Sequence, residues 1–68
     1  MIEEKDIKPG AEFMGLVDGS IFKIKEIKQD TLNKSENIII EYKDIKTGKT
    51  KTSATNKEHF KRLLIIRL

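Results

Sequence analysis

The sequence predicts an all-β fold: a small five-stranded barrel with one short helical (3₁₀) turn before the last strand. Three stretches carry that prediction. Residues 37–54 read Asn-Ile-Ile-Ile-Glu-Tyr-Lys-Asp-Ile-Lys-Thr-Gly-Lys-Thr-Lys-Thr-Ser-Ala, two arms rich in β-branched residues around a polar turn at 44–49, with Gly48 where a type I turn plus bulge needs a positive φ. Asp18-Gly19 sits between Val17 and Ser20, and Asp-Gly between strands is the strongest short-range signal for a tight two-residue hairpin turn. Residues 63–68, Leu-Leu-Ile-Ile-Arg-Leu, form an aliphatic, strand-like run directly after a helix-start pattern.

Taken in order, residues 1–8 are polar apart from Met1, Ile2 and Ile7, and read as a loose lead-in that lays one isoleucine against the barrel. Pro9-Gly10 punctuates before the first strand, 11–17, in which Phe13 is the anchor and Gly15 marks a bulge or a close approach. In the second strand, 20–28, Phe22 and Ile24 share a face by the period of two, and Ile27 rejoins it only if a bulge falls near Lys25 or Glu26. Residues 29–36 lack periodicity and read as a loop; their Asn33-Lys34-Ser35 glycosylation triplet means little in a chain with no secretion signal.

In the third strand Ile38, Ile40 and Tyr42 are assigned to the core and Ile39 to the opposite face. The fourth, 49–54, alternates lysine with threonine, as an edge strand protected from aggregation does. Thr55-Asn56-Lys57-Glu58 fits a capping box, with Thr55 as the cap, and predicts one helical turn whose Phe60 plugs the core. The last strand, 63–68, is apolar on both faces. A small barrel buries only one, which is the sequence's main hint of self-association.

Length bounds the rest. Sixty-eight residues make one domain, 1–68, which buries only about 60% of the unfolded chain's surface, too little for an elaborate catalytic cleft. Hydrophobic and charged residues each make up 37%, richer in aliphatics than a disordered chain. Cysteine is absent, which removes disulfides, thiolate metal sites and cysteine nucleophiles together. The N-terminus is acidic where a signal peptide is basic, and no apolar run approaches the roughly 20 residues that span a bilayer, so a cytoplasmic protein is expected.

The net charge of +3 hides a gradient. Residues 1–22 set two lysines against five carboxylates, 23–41 balance, and 42–68 set eight bases against two acids. Such a basic half attracts phosphate or an acidic partner. The plainer reading is solvated surface, since eleven isoleucines and twelve lysines in so short a chain also fit the codon bias of an AT-rich genome.

Lys8-Pro9-Gly10 followed by Phe13, then Asp18-Gly19, Thr47-Gly48-Lys49, Phe60 and the closing aliphatic strand, resembles the small Src-homology-3-like (SH3-like) barrels of bacterial phages and mobile elements. More distantly it is similar to KOW-type barrels. The likeness covers nearly the whole chain and rests on turn glycines and core aromatics, so it implies architecture. KOW-type domains contact RNA or protein through loops, and that is the only function the resemblance implies.

Candidate chemistry is sparse. Gly48-Lys49-Thr50 ends like a phosphate-binding loop, but the glycine that motif needs five positions earlier is Lys43. His59 is the sole histidine, no serine or carboxylate stands at a recognised spacing from it, and the carboxylates form no metal-loop pattern. Neither an enzyme nor a cofactor or metal site is expected. Two readings remain. Lys43, Lys46, Lys49 and Lys51 on the central hairpin, with Lys57, Lys61 and Arg62 around the helical turn, offer backbone-directed contact with nucleic acid. Stacking support is thin, because Phe13, Phe22, Tyr42 and Phe60 all fall at core-type positions. The alternative is a protein-interaction module or homodimer built on strand 63–68.

Overall fold

The computed structural model describes residues 2–32, 35–44 and 46–68. Expectations that fall on Met1, on Asn33 and Lys34 of the glycosylation triplet, and on Ile45 of the central turn lie outside those residues. A 3₁₀ turn (Glu4–Asp6) is followed by β1 (Glu12–Gly15), β2 (Ile21–Asp30), β3 (Ser35–Lys43), β4 (Thr50–Asn56), α1 (Lys57–Lys61) and β5 (Ile65–Arg67). The strands form one antiparallel sheet in the order β4-β3-β2-β1-β5. The fold is therefore the small all-β architecture that the sequence predicts.

Cross-strand register shows how one face becomes the core. Phe22 lies opposite Tyr42, Ile24 opposite Ile40, and Ile27 opposite Ile38. Between Ile24 and Glu26 the register shifts, so Lys25 is the extra residue of a β-bulge and Ile27 rejoins the face of Ile24. This is the bulge that the broken two-residue period requires. From β1 the same face receives Phe13, which pairs with Phe22, and from β5 it receives Ile65, opposite Gly15.

Phe60 closes this core from α1. Its ring meets those of Phe13 and Phe22 edge-on, at centroid distances of 5.3 and 6.0 Å, and the Phe13 and Phe22 rings stack at 5.8 Å. A helix that follows edge strand β4 thus reaches side chains on β1 and β2. Only a curled sheet allows that. Around the three rings pack Ile2, Ile7, Ala11, Ile24, Ile38 and Ile65, all buried, with Ile27, Ile40, Tyr42 and Leu63 partly buried against them.

Several local expectations shift, each for a visible reason. The two-residue turn at Asp18-Gly19 is wider: Gly15 pairs with Ser20 through N–H···O at 2.8 Å, and Leu16 and Val17 belong to the loop. Gly19 takes the left-handed conformation (φ 74°), and the Asp18 carboxylate accepts from the Ser20 amide at 3.0 Å. The central hairpin repeats the device. Asp44 pairs with Lys49, Gly48 adopts φ 73°, and its N–H donates to the Asp44 carbonyl at 2.7 Å. Gly15 admits a close approach, since a Cβ there would stand 2.9 Å from the Asp18 carboxylate.

The segment read as a loop over 29–36 is shorter, because Gln29 pairs with Glu36 and Asp30 with Ser35, extending both strands. Strand 63–68 shrinks to three residues, Leu63 being drawn into the turn that leaves α1. The turn before that strand is α rather than 3₁₀, although bonds from the Arg62 amide to the His59 carbonyl and from the Leu63 amide to the Phe60 carbonyl finish it in 3₁₀ fashion. Its cap is Asn56, not Thr55: β4 runs on through Asn56, opposite Asn37, so α1 begins one residue later at Lys57 and the Asn56 side chain accepts from the His59 amide at 2.7 Å. At the other end both Ile2 and Ile7 are buried, the true 3₁₀ turn between them being held by the Glu3 amide on the Asp6 carboxylate at 3.0 Å.

Two measurements test this account. Replacing Asn56 with Ala should cost about 1 kcal/mol in urea unfolding, and Thr55→Ala distinctly less, the reverse of what a Thr55 cap requires. Phe60→Ala should cost about 3–5 kcal/mol, most of what so small a chain has, and Phe60→Leu only about 1–2 kcal/mol. A Phe60→Ala variant within 1 kcal/mol of the parent would remove the ring cluster from its central place.

Candidate interaction surface

The face of the sheet turned away from the core is built by the alternate residues of the same strands. On β1 and β5 these are Met14, opposite Ile66, with Leu16 bonded through its amide to the Leu64 carbonyl at 2.9 Å, and Leu68 bonded through its amide to the Glu12 carbonyl. Ile21 of β2 extends the row, paired with Met14. The result is a contiguous apolar strip in which Leu64 is 66% exposed, Leu16 and Leu68 57%, Ile21 54% and Ile66 39%. Together they leave roughly 500 Å² of surface in water, towards the upper end of the largest patch a monomer usually shows.

Reading by sequence found half of it. The doubly apolar run at 63–68 was legible, whereas Met14, Leu16 and Ile21 were not assigned to any surface. Their signal was the opposite parity to Phe13 and Phe22, and the register that aligns them with β5 comes only from folding. Beside the strip, the outer-face row Glu12, Lys23, Glu41 and Thr52 crosses β1 to β4, and Lys43 follows Ile21 in the next row. The polar border carries both signs.

The seven basic residues suggested for phosphate contact are dispersed. Lys43 and Lys51 lie on opposite faces, since Lys43 pairs with Thr50 and Lys51 with Tyr42. Lys51 is held by the Asp44 carboxylate at 2.9 Å. Lys57 bridges Glu4 and Glu36, and Lys61 contacts Glu4 at 2.6 Å. That leaves Lys43, Lys46, Lys49 and Arg62 exposed and, among the described residues, outside any ion pair. Lys46 and Lys49 belong to the central hairpin turn, whereas Arg62 lies beyond α1 on the rim of an apolar groove of about 540 Å³ lined by Val17, Phe22, Ile40, Tyr42, Leu63 and Ile65 and also by Leu64, which at the edge of the sheet borders this groove as well as the outer strip.

Three carboxylates have their pKa held below the ordinary 3.8. For Asp6 the main cause is the Glu3 amide, with Arg67 adding to it from 3.0 Å; for Asp18 it is the amide and then the hydroxyl of Ser20; for Asp44 it is Lys51 and then the Lys46 amide. All three fasten turns or chain ends. Among the described residues no group of three or more His, Asp or Glu is placed to hold a metal ion, and no helix is long and apolar enough to cross a membrane.

Compared with family models, curated proteins and solved structures, the chain matches none, so the surface has to be read from its own residues.

Because these carboxylates bind protons less readily folded than unfolded, the stability they lend is fully present above pH 3.8 and is withdrawn as pH falls through their lower folded values. Urea midpoints should hold steady down to about pH 5 and decline below about pH 4, with a shallower decline in Asp6→Asn. A midpoint that rises on acidification would contradict the assignment.

Proposed function

We propose that this chain is a non-enzymatic protein-binding module whose docking face is the outer surface of β1 and β5. The observation that carries the reading is the strip of Leu16, Ile21, Leu64, Ile66 and Leu68, gathered along one side of the sheet, whereas the other large exposed aliphatics, Val17 and Leu32, stand apart in turns. Exposing it has a cost: at about 25 cal/mol per Å², covering roughly 500 Å² is a driving force of order 10 kcal/mol before the losses of association are deducted. A mixed-sign border suits a protein partner, which presents both signs, better than a phosphate backbone, which presents one.

Nucleic-acid contact is the second reading, supported by Lys43, Lys46, Lys49 and Arg62, the four of the seven suggested bases that, among the described residues, pair with no carboxylate. It is weakened by Lys51, Lys57 and Lys61, whose charges Asp44, Glu4 and Glu36 already answer. The resemblance to SH3-like and KOW-type barrels fits either reading, because the residues that carry it serve turns and core.

A photo-reactive residue placed at Leu64, in cells that naturally make this chain, should give adducts to protein, and one at Thr52, beyond the apolar strip, should give few. Adducts to nucleic acid from position 46 and none to protein from 64 would reverse the order of the two readings.

A further inference from the structure

We infer that the occupant of the outer face is a second copy of this chain, stacked face to face about a two-fold axis that passes through the Met14–Ile66 pair. This rests on the reading of that face as a docking surface and goes beyond it in naming the partner and the geometry.

The geometry follows from what each mode of contact leaves wet. Strand β5 lies at an edge of the sheet, so a copy could add to it edge to edge, as exposed edges invite. β5 is only three residues long, however, and an added strand extends a sheet in its own plane. Leu64, Ile66 and Leu68, with Met14, Leu16 and Ile21 beside them, would remain as exposed as before. Only a second layer covers them. A helix or another sheet can form that layer, but the α1 of this chain has only five residues and its Phe60 is buried in the core, so the layer a copy offers is its own sheet face, about 10 Å away.

Charge and area point to the chain's own copy. A two-fold contact sets a patch against itself, so a border of one sign would repel its image. Here Glu12 and Glu41 are balanced by Lys23 and Lys43, and the outer face can meet itself without net repulsion. The apolar strip of roughly 500 Å², with part of that border, approaches the about 800 Å² per partner of a stable interface, and its shortfall implies a modest dimer, with dissociation in the micromolar range. The total also sits below the obligate class, in keeping with a protomer that has its own core.

The test is the mass of the purified chain by sedimentation equilibrium from about 5 µM to 1 mM. The expected result is a reversible shift from one chain to two. Ile66→Lys and Leu64→Lys, both at exposed positions, should each raise the dissociation constant at least about tenfold while leaving the thermal transition of the dilute protomer close to that of the parent. Since the chain has no cysteine, Met14→Cys gives a single attachment point at the centre of the patch: a short bismaleimide should link two copies there and fail with Thr52→Cys, at the far end of the outer face. A single-chain mass at 1 mM, or a dimer indifferent to both lysine variants, overturns the inference. Were that mass seen together with cellular adducts from position 64 to a different protein, the docking face would stand and only its occupant would change.

Discussion

The edge-on contact of Phe60 with Phe13 and Phe22 is the constraint on which the other features depend. A helix of five residues has no stability of its own, since nucleation alone is unfavourable at that length. It persists because the Asn56 cap fixes its start and the buried ring fixes its position. In return it ties the end of β4 to β1 and β2, strands that β4 does not touch through hydrogen bonds. The curl of the sheet, the place of β5 against β1, and the shelter of Ile24 and Ile38 all follow from where that ring sits.

A core assembled in this way is one-sided. The bulge at Lys25 turns Ile27 inward and, with Phe22, Ile24, Ile38, Phe60 and the two N-terminal isoleucines, exhausts the space the curled sheet encloses. The alternate residues have nothing to pack on. On β3 and β4 they are Glu41, Lys43, Thr50 and Thr52, which water accepts, together with Ile39 opposite Ala54. On β1, the start of β2 and β5 they are Glu12 and Lys23, which it also accepts, and Met14, Ile21 and Ile66, which it does not, with Leu16 and Leu68 continuing the apolar row just beyond the strand ends. What makes the apolar strip informative is its concentration: the large exposed aliphatics of the outer face gather beside the Met14–Ile66 pair, at the β1–β5 side of the sheet.

Features set by neighbours in sequence were the ones legible before folding. The bulge shows as a break in the two-residue period between Ile24 and Ile27, and both turn glycines show as the left-handed positions that Gly19 and Gly48 occupy. Where two local solutions compete, the sequence is silent. Thr55 and Asn56 both cap helices well, and the choice fell to Asn56 because β4 keeps its pairing with β3 as far as Asn56, opposite Asn37, which starts the helix one residue later. The pairing of Gln29 with Glu36 was hidden because polar residues carry no periodic signal. Of the outer strip, residues 64, 66 and 68 were readable as a doubly apolar strand; Met14, Leu16 and Ile21 joined them only through register between strands some fifty residues apart in sequence.

Charge shows the same limit from the other side. Along the sequence the first third is acidic and the last third basic, a gradient that suggests a polarised molecule with a positive flank. Folding turns the gradient on itself. Glu4 lies against Lys57 and Lys61, and Asp6 against Arg67, so charges separated by more than fifty residues meet and cancel at close range. Such exposed pairs add little to stability one by one, but they change what the surface presents to a partner. Beyond about 10 Å in physiological salt, an answered lysine is nearly invisible. Of the seven bases suggested for phosphate contact, Lys43, Lys46, Lys49 and Arg62 keep their charge unanswered among the described residues, the first three close together on the central hairpin. On the proposed reading, long-range attraction and short-range affinity would thus belong to different parts of the same small sheet, and only the apolar part has the area that holding a partner requires.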